Sequence, residues 1–273
     1  MDSLIKKIKV QCPAKINLTL KITGKRPDGF HNIDSIMQTI NLFDYLTISC
    51  QPSKNFEIKL DGTSSEIPYD ERNLVYKAVK LFFETCSNLP KKTIEIFIEK
   101  NIPIAAGLAG GSTDGAGVLF GLNEMFNKPL NENDLQSLCA KLGSDLNFCL
   151  IGGRQRTTGR GEILEPLKFE EFSLSLIKPE NLGISAGYAY KKFSEKNSYT
   201  QLNRSSFEND LEWGIIDDFE ELKYIKRTYP NSTMSGSGST YFVLNENFQN
   251  ENGFWIKNNL KSIPYGVRII DND

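Results

Sequence analysis

No stretch of about 18 consecutive apolar residues occurs in this 273-residue chain, so a membrane-spanning helix is not expected. A basic flank followed by a long apolar run is also missing near Met1, and the chain is expected to be soluble and cytoplasmic. There is no excess of basic residues. The balance of 32 Lys+Arg against 34 Asp+Glu leaves a net charge of -2, which argues against nucleic acid as the main partner. The five cysteines, Cys12, Cys50, Cys86, Cys139 and Cys149, form no Cys-x-x-Cys pair. Their odd number suits reduced thiols, each packed as a small hydrophobe, better than a disulfide framework. Internal repeats, low-complexity tracts and linkers rich in Pro, Gly or Ser are likewise absent, so any division of the chain is expected near residues 155 to 165.

What is present is a mixed order of strands and helices. Apolar runs at Lys9–Gln11, Leu18–Ile22, Leu46–Cys50, Phe56–Leu60 and Thr93–Glu99 predict strands. Between the last two, Leu74, Val75, Ala78, Leu81 and Phe82 recur at helical spacing behind Asn73 as an N-cap. Helices are predicted from Ser112 onward and over Glu132–Leu142, where Gly143 stops the second. Beyond Gly152 the pattern predicts strands at Glu162–Leu164, Leu174–Ile177, Tyr241–Leu244 and Val267–Ile270, with helices around Ala186–Phe193 and Phe219–Tyr229. This order favours α+β over regular βαβ repetition.

The run IPIAAGLAGGSTDGAGV, from Ile102 to Val118, follows a strand and leads into a helix. Free N–H groups and the positive end of the helix dipole converge there, and both favour a phosphate. Gly107, Gly110 and Gly111 allow the backbone to approach phosphate oxygens, and Ser112 or Thr113 adds a hydroxyl. The turn is neither a Walker loop nor a Rossmann fingerprint, because no lysine follows Gly111 and Gly-x-Gly-x-x-Gly is absent. Taken alone, it also reads as a tight turn whose glycines permit close packing.

Two further polar interruptions carry chemistry. In PAKINL, Pro13 to Leu18, Lys15 and Asn17 share one face of a strand. In LGSDLN, Leu142 to Asn147, Asp145 follows a helix stop. Phosphoryl transfer requires a group that accepts or orients the hydroxyl proton and a cation beside it, which assigns Asp145 as base and Lys15 as its partner. A lone Asp after a helix is more often a cap, and a lone Lys is usually solvated. The run NDLE, Asn209 to Glu212, reads as solvated capping.

PAKINL, the segment Pro103–Thr113 and the run MSGSGSTY from Met234 to Tyr241 together resemble the three motifs of the GHMP kinases. That family is named for galactokinase, homoserine kinase, mevalonate kinase and phosphomevalonate kinase. GKRPDGFHN, Gly24 to Asn32, and LGSDLN add a likeness to one branch, whose substrate carries a cytidine diphosphate, over nearly the whole chain. The resemblance implies an α+β GHMP kinase fold. Its N-terminal half (1–160) would resemble domain 2 of ribosomal protein S5 and bind ATP, and its C-terminal half (161–273) would be ferredoxin-like and lie on the substrate side.

The same resemblance implies ATP as donor with Mg²⁺, a small-molecule partner bearing a cytidine diphosphate, and no nucleic acid or membrane partner. A monomer or weak homodimer is expected. Asp145 and Lys15 would be catalytic. The phosphates would lie along Pro103, Ile104, Ala105, Ala106, Gly107 and Leu108, and on into Ala109, Gly110, Gly111, Ser112 and Thr113. Asn73 and Lys100 would lie near the nucleotide, and Asn17 near the reacting hydroxyl. His31 would hydrogen-bond the cytosine between Phe30 and Tyr190, while Gly236 and Gly238 would flank the transferred phosphate. Two departures stand out: Phe30 occupies a position where the branch usually has tyrosine, and Ala186 one where threonine is common, so a hydrogen bond is lost. A GHMP kinase acting on homoserine or mevalonate is the alternative within enzymes. Outside them, the alternative is an N-terminal half that serves as a nucleotide-independent RNA-binding or interaction module, since translation proteins share folds of this type.

Overall fold

A computed structural model of the chain describes residues 6–270. In chain order the first half runs β1 (Lys6–Lys25), β2 (His31–Pro52), β3 (Glu57–Gly62), α1 (Leu74–Thr85), β4 (Lys92–Glu99), α2 (Gly110–Met125), α3 (Glu132–Leu142), α4 (Leu146–Ile151), β5 (Arg154–Gly159) and β6 (Ile163–Pro166). The second half runs β7 (Ser173–Pro179), α5 (Ala186–Tyr199), α6 (Asp210–Ile215), α7 (Glu220–Thr228), β8 (Thr233–Met234), β9 (Tyr241–Leu244), β10 (Phe254–Lys261) and β11 (Arg268–Ile270).

The long antiparallel pair β1–β2 is the spine of a seven-stranded sheet ordered β11-β1-β2-β4-β3, in which β5 pairs with the other end of β2 and then with β6. The two short strands expected in this region are therefore parts of one 20-residue strand. Residues 10 to 17 of β1 are buried throughout. Val10 and Cys12 join the core beneath the helices, whereas Ala14 and Ile16 join the core shared with the second sheet. A register irregularity between Pro13 and Ala14 falls between these pairs, and Lys15 and Asn17 follow it. Irregularities of this kind commonly re-aim side chains beside functional sites.

Local chemistry accounts for the helices. The Asn73 side chain accepts from the Val75 N–H at 2.9 Å, and Val75, Ala78, Val79 and Phe82 form the buried stripe of α1. Helix α2 presents small residues to the sheet. A Cβ on Gly117 would stand 2.4 Å from Cys12 Sγ, so only glycine permits this approach of helix to strand.

The second sheet is antiparallel, ordered β10-β7-β9-β8, which is 4-1-3-2 counted within that half and is the ferredoxin-like order implied above. Helices α5, α6 and α7 contribute to its core around Trp213, Phe193 and Tyr241. These sheets do not coincide with a division at residue 160: β6 still belongs to the large sheet, and β11 returns to pair with β1. Periodicity did not anticipate α4, α6, β5 or β10. The two helices are six residues each, too short for a 3.6-residue repeat to register.

Phe82 is fully buried at the centre of the helix-side core. Phe82→Ala is expected to destabilise the protein by about 3–5 kcal/mol, read as a lowered urea midpoint.

Candidate active site

A cavity of about 1160 Å³ opens between the two sheets, lined from the first half by β1, the glycine turn and the start of α1, and from the second by α5 and the β8–β9 turn. Helix α2 begins at Gly110 behind Ala109, which has φ 59° and offers no side-chain cap. The first N–H groups of α2 therefore lack side-chain partners, and Gly110, Gly111 and Ser112 line the cavity.

Lys15 lies opposite this turn, with its side chain 4% exposed. Its ammonium donates to Asn17 Oδ1 at 2.6 Å and to the Gly107 carbonyl at 3.0 Å, and it stands 3.7 Å from Asp145 Oδ2. Asp145 occupies the N-cap position of α4, yet its carboxylate makes no capping bond and remains 31% exposed on the cavity wall. The capping reading does not describe this residue. Asn17 is fully buried, and its Nδ2 donates to Ser35 Oγ at 2.8 Å, which fixes the amide so that Oδ1 faces Lys15.

The glycine turn and the Ser235–Ser239 turn interlock. Ser235 Oγ donates to the Gly107 carbonyl at 3.0 Å and accepts from the Asn17 N–H at 3.3 Å. Gly107 has φ +74°, and a Cβ there would lie 2.0 Å from the Ser235 carbonyl oxygen. The second turn is a hairpin between β8 and β9.

Three residues of the expected phosphate set lie elsewhere. Leu108 is packed in the core, and its carbonyl accepts the Lys15 N–H at 3.2 Å. Thr113 is fully buried, with an Oγ1 that has no partner among the described residues. Gly238 stands behind the apex formed by Gly236 and Ser237, its N–H donating to the Ser235 carbonyl at 2.9 Å. Successive residues of a turn or helix point to different sides, and a contiguous motif does not reveal which of them face the cavity.

Pro103, Ile104, Ala105 and Ala106 line the cavity, as do Asn73 and Lys100. The Asn73 side chain is occupied by its cap and by donation to the Pro68 carbonyl at 2.7 Å. Lys100 is nearly buried, bound to Asp44 and, at 3.1 Å, to Asp114. Burial acts to lower its pKa, but the two carboxylates outweigh that and raise it. Burial pushes the Asp114 carboxyl up, with the Asp44 charge adding to the rise. Asp44 Oδ1 also accepts the N–H groups of Asn101 and Ile102 at 2.6 and 2.8 Å, holding the chain just before the glycine turn.

At the other end, His31 stacks on Tyr190 with centroids 5.1 Å apart and 17° between planes, and its Nε2 lies 2.9 Å from Ser194 Oγ. Burial, and then the Lys25 charge, lower the His31 pKa, which favours the neutral ring. Phe30 is exposed at the rim, with the Arg160 guanidinium 5.0 Å from its ring centre. Arg160 and Lys25 give this end positive charge. Sequence reading passed over Arg160, Ser194 and Asp44, none of which stands in a recognisable motif. It also placed Asn209–Glu212 in solvent. All four residues are buried, a fact signalled by the apolar neighbours Phe207, Trp213, Ile215 and Ile216.

A glycine turn at a helix N-terminus, bonded to a lysine that pairs with a carboxylate on the wall of a cavity between these two sheets, defines the class as small-molecule phosphotransferases of the GHMP type. Residues 73–153 match the GHMP kinases N terminal domain. A 4-diphosphocytidyl-2-C-methyl-D-erythritol kinase of Clostridium beijerinckii is 44% identical over 259 residues, covering 87% of this chain and 90% of the relative. The enzyme of the same name from Prochlorococcus marinus subsp. pastoris is 37% identical and covers 97% of this chain and 98% of its own length. A crystal structure of 4-(cytidine 5'-diphospho)-2C-methyl-D-erythritol kinase superimposes with a TM-score of 0.70 at 28% identity, covering 88% of this chain and 90% of that one. The chain belongs to the GHMP kinases and, within them, to the 4-diphosphocytidyl-2-C-methyl-D-erythritol kinase family.

Gly107→Ala is expected to force the two turns apart. Nucleotide affinity, measured by titration calorimetry, should fall about 5- to 150-fold, because backbone strain and clash at such a site cost roughly 1–3 kcal/mol.

Proposed function

We propose that this protein transfers the terminal phosphate of ATP to the 2-hydroxyl of 4-diphosphocytidyl-2-C-methyl-D-erythritol, a step of non-mevalonate isoprenoid precursor biosynthesis. The observation that carries this reading is the Lys15–Asp145 pair at 3.7 Å, on the wall of a cavity that also holds the uncapped start of α2.

ATP lies with its phosphates along Gly107 and Gly110–Ser112, and Ile67, Pro68 and Leu74 offer the same end an apolar wall for a base. The acceptor lies toward His31, where the neutral imidazole reads the polar edge of cytosine and Tyr190 and Phe30 flank it. Lys25 and Arg160 face the acceptor's diphosphate. Asp145 takes the hydroxyl proton as the acceptor oxygen bonds to the γ-phosphorus. The bond from that phosphorus to the β,γ-bridging oxygen breaks, and ADP leaves. Lys15, steadied by Asn17 and the Gly107 carbonyl, holds positive charge beside the transferred group.

No cluster of three His, Cys, Asp or Glu residues able to hold a metal occurs among the described residues, which suits an ion carried mainly by substrate phosphates. Ser112 and Asp114 both line the cavity at this turn, and Asp114 Oδ1 is buried without a hydrogen-bond partner among the described residues. These two would hold a phosphate-bound Mg²⁺, which when present neutralises phosphate charge. We take the enzyme to act in the cytoplasm, as a monomer or weak homodimer.

Asp145→Asn is expected to lower kcat by about 10²–10⁴-fold while the thermal midpoint is retained; full turnover would remove Asp145 from the mechanism. His31→Ala should raise the KM for the cytidylyl acceptor about tenfold or more and leave the KM for ATP unchanged. Turnover of homoserine or mevalonate in preference to this acceptor would redirect the assignment within the family.

A further inference from the structure

We propose that Asn209 is the positioning residue of the Ser235–Ser239 turn, setting the distance between its Gly236–Ser237 apex and Lys15. The proposal rests on the reading of the cavity given above.

Asn209 is fully buried, and its side chain is bonded at both ends. Nδ2 donates to the Met234 carbonyl at 2.7 Å and to the Gly236 carbonyl at 2.8 Å, while Oδ1 accepts from the Leu211 N–H at 2.9 Å. Both amide protons are thus spent across one turn, on the carbonyls that precede and form its apex. A carboxylate of the same shape would set oxygen against two carbonyl oxygens, and a shorter side chain would reach neither.

The backbone of Asn209 is tied to the opposite wall. It forms a parallel bridge with Leu20, and the Leu20 N–H donates to the adjacent Glu208 carbonyl at 2.9 Å. Leu20 is in β1, the strand that carries Lys15 and Asn17. Asn209 therefore spans from the strand bearing the cavity's ammonium to the turn that faces it. The spacing it sets is close: a Cβ on Gly236 would lie 3.0 Å from Lys15 Nζ. The sheet alone holds this turn weakly, because β8 is two residues long and pairs only with β9.

Glu212, one helical turn on, makes a different contact. Its carboxylate accepts the Met234 N–H at 3.1 Å and lies 3.5 Å from Lys226 Nζ, away from the apex. The pair supplies a control that weakens the same helix–strand junction without touching Gly236 or Ser237.

The experiment compares Asn209→Ala with Lys226→Met by steady-state kinetics and by hydrogen–deuterium exchange of the 234–240 peptide in the enzyme without acceptor. Asn209→Ala is expected to exchange this peptide at least about tenfold faster and to lower kcat about 10²-fold, with the acceptor KM changed less than about threefold. Lys226→Met should lower the thermal midpoint yet hold kcat within about threefold of wild type. Unchanged exchange in Asn209→Ala, equal kcat losses in the two variants, or an effect confined to the acceptor KM would each overturn the proposal. Should Asn209→Ala not be recovered folded, Asn209→Asp keeps the side-chain volume and the acceptor toward Leu211 and is judged by the same criteria. Exchange is read without acceptor, so it decides the role of Asn209 even if wild type fails to turn over the cytidylyl substrate, a result that would count against the functional reading alone.

Discussion

A buried ammonium must find acceptors, and the arrangement of this cavity follows from how Lys15 finds them. Its donors are directed to a side-chain amide on its own strand, to a carbonyl of the glycine turn and toward a carboxylate at the start of α4. Three segments distant in the chain are thereby drawn to one point. Leaving the charge unpaired there would cost several kcal/mol, so the contacts are mutually enforcing. The same contacts leave Asp145 turned to the cavity instead of capping its helix.

Around this point each backbone turn is held by a residue from elsewhere. Asp44 grips the chain before the glycine turn through two N–H groups, Ser235 joins that turn to the second one, and Asn209 ties the second to β1. The uncapped start of α2 remains the part of this framework whose donors are free for an anion. The end proposed for the acceptor is built differently, from a histidine stacked on a tyrosine with arginine and lysine at the rim.

Much of this was legible in the sequence because the information was local. Asn73 before an apolar repeat marked the start of α1, Gly143 marked the end of α3, and the run of glycines marked the turn into α2. In the second half the pattern marked only β7 and β9 of the 4-1-3-2 sheet, and the ferredoxin-like order came from the family likeness; the other two expected strands, β6 and β11, belong to the large sheet. Where reading failed, the missing information was which side of a segment faces what. NDLE looks solvated by its charges but is buried by its partners, and Leu108 and Thr113 sit inside a phosphate motif yet face the core. A polar residue's burial depends on whether a distant carbonyl or ammonium reaches it, which no local spacing encodes.

By itself the sequence determined the family, the secondary elements with strong periodicity or clear punctuation, and the residue types from which a phosphate site could be built. The tertiary structure alone decided that Lys15 meets Asp145, that Lys100 is locked between Asp44 and Asp114, that β11 closes back on β1, and that Asn209 belongs to the site's framework. The physical reason is the range of the forces involved. Propensity, capping and turn chemistry act within a few residues, whereas hydrogen bonds and ion pairs act between atoms about 3 Å apart in space regardless of separation along the chain.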